Sequence, residues 1–351
     1  MSERGHRRVA VTGASGMLGC RVVAELIESG YDDIVLVVRD ATRLATLYSR
    51  LGKAGIDFID ILHVEQVELT DTDRLAQLFK GVDVVFNCAA KVSMEGSCPE
   101  ALIENNLSIA RSAAEAALRA KVGRFVHVSS ISALGDAPEG KVLIDEECRV
   151  SHPEEFSPYG QSKQAAEGAV WEAAARGLKV TVVLPSVILG EGDWYGSGSA
   201  SVVRLAASGL PFATSGVVGY VDVCDVARAM RLLSEKSDTV GERFILSASN
   251  LSFRELMTRG AEAAGRPRPF ITLGRGAISL AWRVSALLRW SHIADTGLTR
   301  AAARSATERS FYDGTKIERY CDFEYTPVVD TITRVVAAYV NDRKKPKRKQ
   351  R

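Results

Sequence analysis

The chain has 351 residues, enough for one large domain or a main domain with a smaller appendage. Its 45 basic and 43 acidic residues nearly cancel to a formal charge of +2, so no global field points to a nucleic-acid partner. The six cysteines (Cys20, Cys88, Cys98, Cys148, Cys224, Cys321) are scattered without metal-ligand spacing, which points to free thiols in a reducing compartment and to no bound metal.

The polar residues Met1 to Arg8 lead directly into a strand, an arrangement that predicts no signal peptide and a cytoplasmic location. In chain order, strand-like Val9–Thr12 precedes a helix near Leu18–Glu28, and Ile34–Val38 precedes one near Ala41–Leu51. Ile61–Val64, a helix over Asp73–Phe79 and strand Val82–Asn87 follow, then a long helical pattern from Pro99 to Ala120. Arg124–Ser129 reads as a fifth strand, Tyr159–Ala175 as a helix and Lys179–Leu184 as a sixth strand. Apolar strands alternating with amphipathic helices predict an α/β, doubly wound parallel sheet of the Rossmann type.

After Gly190 the rhythm breaks into a Gly/Ser-rich loop and shorter, mixed elements. The expected organisation is a dinucleotide-binding core over 1–190, a smaller mixed substrate-binding region over 191–340 with some elements returning to the core, and a basic solvated tail over 341–351. Attraction of that tail to anionic lipid or nucleic acid is the sharper alternative. The stretch 273–291 is apolar but broken by arginines, and it falls short of the roughly 20 apolar residues a spanning helix needs. On a helix, Leu280, Ala281, Val284, Leu287 and Leu288 share one face opposite Arg275, Ser279 and Arg283. That pattern predicts a helix packed over a core. A lid over an apolar substrate, or weak peripheral membrane contact helped by Trp282 and Trp290, are the alternatives.

Two motifs carry the chemistry. In Thr12-Gly13-Ala14-Ser15-Gly16-Met17-Leu18-Gly19, the first glycine allows a tight turn after the strand and the second removes the side chain where a pyrophosphate approaches backbone. The third lets the helix pack closely, with its positive N-terminal end toward the phosphates. Far downstream stands Tyr159-Gly160-Gln161-Ser162-Lys163. Alone, Tyr159 reads equally as a core aromatic and Lys163 as a solvated charge.

With Asn87-Cys-Ala-Ala90, Val128-Ser-Ser130 and Pro185-Ser-Val-Ile-Leu-Gly190 between and after these motifs, the chain resembles the short-chain dehydrogenase/reductase superfamily in its extended branch, over residues 8 to about 250. The resemblance implies that Tyr159 exchanges a proton with the substrate oxygen while hydride moves to or from nicotinamide. A free phenol has a pKa near ~10, so Lys163, one helical turn away on the same face, is the cation that stabilises phenolate. By the same resemblance Lys163 holds the nicotinamide ribose and Ser130 bonds the reacting carbonyl or hydroxyl. Ser130 is preferred to Ser129 because it stands five residues before Gly135, the family spacing. Asn106 matches the asparagine of the family's central helix, although Ile109 and Ala110 replace the glycine and threonine expected after it.

The resemblance also assigns Ser15, Met17 and Leu18 to the phosphate turn, Glu68 and Leu69 to the adenine side, Ala89 and Ala90 to the cofactor wall, and Pro185, Ser186 and Val187 to the carboxamide. Glu68 stands where the family often has aspartate. At the end of the second strand Arg39 suits the extra phosphate of NADP, with Arg43 assisting, whereas Asp40 comes one residue late for NAD ribose. NADP is therefore favoured over NAD. The alternative makes Arg39 a surface charge and Asp40 a helix cap.

Nucleotide-sugar epimerases of this branch carry an arginine shortly before the Val-x-Asp-Val-Ala segment, and 216–227 of this chain has none. The pattern is closer to the 3β-hydroxysteroid dehydrogenase and dihydroflavonol reductase group, which implies an apolar alcohol or ketone of small or medium size as substrate. An epimerase or dehydratase with bound NAD, and an NADP-binding sensor without chemistry, are the competing functions. Dimerisation through the helices at Pro99–Ala120 and Tyr159–Ala175 is implied by the family alone.

Overall fold

A computed structural model describes residues 7–53, 60–91, 98–150, 156–192, 194, 198–274, 276–279, 283 and 306–344. The first half runs β1 (Arg8–Thr12), α1 (Met17–Glu28), β2 (Asp33–Val38), α2 (Leu44–Lys53), β3 (Leu62–Gln66), α3 (Thr72–Leu78), β4 (Val84–Asn87), α4 (Pro99–Arg119), β5 (Arg124–Val128), β6 (Leu143–Ile144), α5 (Pro158–Ala175) and β7 (Val180–Pro185). It continues through β8 (Val187–Leu189), α6 (Ser199–Ala206), β9 (Phe212–Thr214), β10 (Val217–Asp222), α7 (Val223–Ser234), β11 (Arg243–Leu246), β12 (Ser249–Ser252), α8 (Phe253–Ala263), β13 (Ile271–Leu273), β14 (Phe311–Tyr312) and α9 (Val328–Lys344).

Seven strands build one sheet in the order β11-β7-β5-β4-β1-β2-β3. Every neighbouring pair is parallel, and β4, β5 and β7 are buried along their whole length. Helices on both faces exclude water from the sheet, which is why these strands read as continuous apolar runs rather than alternating ones. Leu26, Leu36 and Phe244 sit in the core on one face, and Phe79, Phe125 and Val170 in that on the other. Complete burial of each such side chain stabilises by roughly 1.5–3 kcal/mol relative to exposure.

The strand order reverses between β1 and β4, so the loops after these strands diverge and open a crevice at the carboxyl end of the sheet. The chain leaves the main sheet through Ser186, a single residue between β7 and β8, and β8 joins the second sheet β12-β10-β8. The second sheet, α6, α8 and α9 share a third core that includes Leu189, Trp194, Tyr220, Leu256 and Val336.

The expected strands and helices are present with shifts of a residue or two at their ends. Two differences matter. The sixth strand extends through Pro185, and a seventh, β11, returns from beyond 190 to close the sheet edge. α9 also runs to Lys344, so residues 341–344 of the expected tail are helical, while 345–351 lie outside the described residues. Of the expected helix within 273–291, residues 276–279 are helical and most of the rest lies outside the described residues. No described helix is long and apolar enough to cross a membrane.

Candidate active site

Gly13 has φ +69°, and a Cβ there would lie 2.9 Å from the Ala89 backbone. The turn after β1 and the turn after β4 therefore meet backbone to backbone, which requires glycine at position 13. A Cβ on Gly19 would lie 2.2 Å from the Gly13 carbonyl, so this glycine lets α1 descend directly onto the turn. Gly16 differs: its Cβ would meet only the Gly13 carbonyl, at 3.3 Å, and the residue is exposed.

Gly16 is also the N-cap of α1, with no side-chain cap. The first-turn N–H groups of a twelve-residue helix thus face the crevice uncapped, with Ser15, Met17 and Leu18 half-buried around them. This cradle fits the pyrophosphate of a dinucleotide. Met17 reaches across toward Gly190, where an added Cβ would stand 3.0 Å from its sulfur.

A polar row stiffens the crevice floor. The Thr12 hydroxyl donates to Asn87 Oδ1 at 2.7 Å and accepts the Ala89 N–H at 3.3 Å. Asn87 Nδ2 lies 3.0 Å from His127 Nδ1. Thr12, Asn87 and His127 stand in register on β1, β4 and β5, which is how three residues far apart in sequence form one chain of contacts. Burial and the Lys163 charge hold the His127 imidazole down at about 3, so at neutral pH it is uncharged. Burial pushes the neighbouring Cys88 thiol up to about 12, although Lys163 pulls it the other way, and such a thiol is no nucleophile at pH 7.

The structure brings Ser130, Tyr159 and Lys163 together beside this floor. Ser130 follows β5 and its hydroxyl accepts the Ser132 N–H at 3.1 Å, which leaves its own proton free to be donated. Burial raises the Tyr159 pKa, and Ser130 lowers it. Lys163, 4% exposed, donates to the Val128 carbonyl at 3.0 Å. Burial pushes its ammonium down to about 8, with Glu167 acting the other way.

Tyr159 follows Pro158 in the first turn of α5, which Ser157 caps by accepting the Gly160 N–H at 3.1 Å. Gly160 lets this turn lie against the loop after β5, because a Cβ would stand 2.6 Å from the Ser132 carbonyl. The buried stripe of α5 (Gly160, Lys163, Ala166, Glu167, Val170 and Ala173) carries two charged residues, an arrangement that pattern reading alone passes over.

The other predicted residues lie around this group. Asn106 bonds both backbone groups of Lys91, at 2.8 and 2.9 Å, and donates to the Ser162 hydroxyl at 3.0 Å. Ser162 in turn donates to the Tyr159 carbonyl at 2.8 Å, so Asn106 braces the α5 start and touches neither reacting side chain. Arg39 is exposed after β2. Asp40 accepts from the Thr42 N–H at 2.9 Å and hydroxyl at 2.6 Å, which makes it the cap of the following turn and holds its carboxyl below the usual range. Glu68 is exposed and Leu69 half-buried; Ala89 and Ala90 are half-buried along the crevice. Pro185 and Ser186 are buried at the sheet's edge of the cleft and Val187 is half-buried.

A parallel sheet with a glycine turn at its switch point is the architecture of a dinucleotide-binding protein of the extended short-chain type. A model of the NAD dependent epimerase/dehydratase family matches residues 9–246, and the chain belongs to that family. It is 29% identical over 266 residues to sterol demethylase protein B of Methylococcus capsulatus, covering 75% of this chain and 76% of that one. Cinnamoyl-CoA reductase 2 of Arabidopsis thaliana is 30% identical over 261 residues, covering 71% and 75% respectively. Among solved structures, the crystal structure of gox2253 superposes with a TM-score of 0.79 at 25% identity, covering 97% of this chain and 99% of that chain. The protein is an enzyme that uses a nicotinamide cofactor.

Proposed function

We propose that the protein interconverts an alcohol with a ketone or aldehyde on a small or medium apolar substrate, with NADP preferred over NAD. The observation that carries this reading is Lys163, buried one turn beyond Tyr159 on α5 and bonded at 3.0 Å to the Val128 carbonyl at the end of the strand that leads to Ser130. Bound at the crevice, the cofactor supplies or accepts hydride. Thr12, Gly13, Ser15, Gly16, Met17, Leu18 and Gly19 hold its phosphates; Leu69 and Glu68 flank the adenine; Ala89, Ala90, Pro185, Ser186 and Val187 line the nicotinamide side.

In the reducing direction Tyr159 gives its phenolic proton to the carbonyl oxygen, and Ser130 donates a hydrogen bond to that same oxygen. Such a positioned acid contributes about 10²–10⁴-fold. Lys163 stabilises the phenolate left behind and binds the ribose hydroxyls. Its 3.0 Å bond to the Val128 carbonyl holds the ammonium beside the β5 end until the cofactor arrives. Asn106 keeps the start of α5 in place through Lys91 and Ser162.

The NADP preference rests on Asp40 being engaged by Thr42, which leaves exposed Arg39 as the group suited to a 2′-phosphate. An apolar substrate, or one with an apolar reacting part, agrees with the names of two relatives, sterol demethylase protein B and cinnamoyl-CoA reductase 2. The test is NADPH or NADH oxidation, followed at the reduced-nicotinamide band, against apolar ketones, aldehydes and steroids. Substrate-dependent oxidation is expected. Silence across that panel, with turnover of a nucleotide sugar and no net cofactor consumption, would refute it.

A further inference from the structure

Glu167 lies one turn beyond Lys163 on α5 and is 5% exposed. A buried carboxylate is costly unless it is paired, and this one is engaged on three sides. Its Oε2 accepts the Ser129 hydroxyl at 2.5 Å, and its Oε1 accepts the Trp171 indole N–H at 3.0 Å. The Arg243 guanidinium, on β11, forms an ion pair with Oε1 at 2.9 Å.

These contacts connect the three elements on which the site depends. Ser129 immediately precedes Ser130, and its N–H is fixed to the Val183 carbonyl at 2.8 Å. α5 carries Tyr159 and Lys163. Arg243 also donates to the Glu146 carbonyl at 3.2 Å, which anchors the guanidinium independently of Glu167.

The charges around Lys163 single out the same residue. Lys163 is faced by Cys88 after β4, His127 on β5 and Glu167 on its own helix, with Tyr159 one turn before it. At neutral pH the Cys88 thiol and the His127 ring are uncharged, and burial keeps Tyr159 a phenol. Among these described neighbours Glu167 is the acidic side chain, and it forms an ion pair with Arg243.

We propose that Glu167 is the positioning residue of this site: it ties the Ser129–Ser130 strand end to the helix bearing Tyr159 and Lys163, and it balances the lysine charge in a buried setting. The inference rests on the proposed role of Lys163 in holding the cofactor ribose. It has a signature that a purely structural residue lacks. Removing the Glu167 charge favours the neutral amine of Lys163, whereas removing the Arg243 charge leaves an unbalanced carboxylate that favours the ammonium.

The full-length protein is titrated with NADPH by nucleotide fluorescence between pH 6 and pH 10. In the unaltered protein the affinity falls where Lys163 loses its proton, and Lys163→Met lacks that break. In Glu167→Gln the break moves to lower pH by about one unit, and in Arg243→Gln it moves to higher pH. Trp171→Phe, which keeps the carboxylate, leaves it in place. Melting curves identify variants that do not fold, and Arg243→Gln carries the test alone if Glu167→Gln is one of them.

A break that stays within about 0.2 pH units in the folded variants, or that moves the same way in both, would overturn the proposal. Failure of the unaltered protein to bind NADPH or NADH would instead overturn the functional reading beneath it. The two failures are therefore distinct.

Discussion

Gly160→Ala tests whether the approach of α5 to the β5 loop sets the catalytic geometry. The new Cβ would lie 2.6 Å from the Ser132 carbonyl, about 0.8 Å short of an ordinary 3.4 Å contact. The obstacle is backbone, and Phe156 closes the other side at 3.3 Å, so the methyl cannot be accommodated by turning a side chain. The first turn of α5 must lift, and Tyr159 moves away from Ser130 with it. Overpacking of this kind costs about 1–3 kcal/mol, which for a chain of 351 residues corresponds to a Tm lower by about 1–2 °C per kcal/mol. A displacement near 1 Å at the reacting group costs about 10²-fold in turnover. NADPH affinity should change little by comparison, because the glycine turn after β1 is untouched. The assay is paired: turnover of the best ketone or aldehyde in the screen, and NADPH affinity by fluorescence. Unchanged turnover, or turnover lost only in proportion to cofactor affinity, would refute the geometric argument.

Further outcomes follow from the same site. Tyr159→Phe should keep NADPH binding while turnover falls by about 10² or more, and near-normal turnover would require a different proton donor. Arg39→Asp should shift the ratio of kcat/KM for NADPH over NADH toward NADH by at least about tenfold, and an unchanged ratio would remove Arg39 from cofactor choice. Lys163 has a folded-state value of about 8 against an ordinary 10.5, so between those pH values the unfolded chain holds a proton that the native chain lacks. Its destabilising contribution is therefore full below about pH 8 and disappears as the pH rises toward 10.5. Lys163→Met should be more stable than the parent at pH 7, by up to about 3 kcal/mol in urea melts, with the difference shrinking toward pH 10. A difference that does not depend on pH would contradict that assignment.

The parallel sheet was legible because burial on both faces writes itself as apolar runs at regular intervals. β11 was not, since Arg243-Phe-Ile-Leu246 is too short to announce a core strand and joins the sheet only by pairing with β7. The glycine turn and the Tyr159–Lys163 spacing could be read directly, because local backbone conformation and helical periodicity are properties of adjacent residues. Asp40 and Arg39 were ambiguous until the Thr42 contacts engaged the aspartate.

Residue type and spacing alone made the doubly wound fold and the dinucleotide turn legible, and the family resemblance pointed to the serine, tyrosine and lysine to examine. Folding decided the rest, because those features depend on which strands lie side by side. The Thr12–Asn87–His127 row exists only because β1, β4 and β5 are adjacent and in register. His127 within Arg-Phe-Val-His-Val, and Glu167 within the buried stripe of α5, look like lapses in apolar patterns until their partners arrive from other elements. A buried polar group is tolerated only where distant residues satisfy it, and one-dimensional order does not record who those neighbours are.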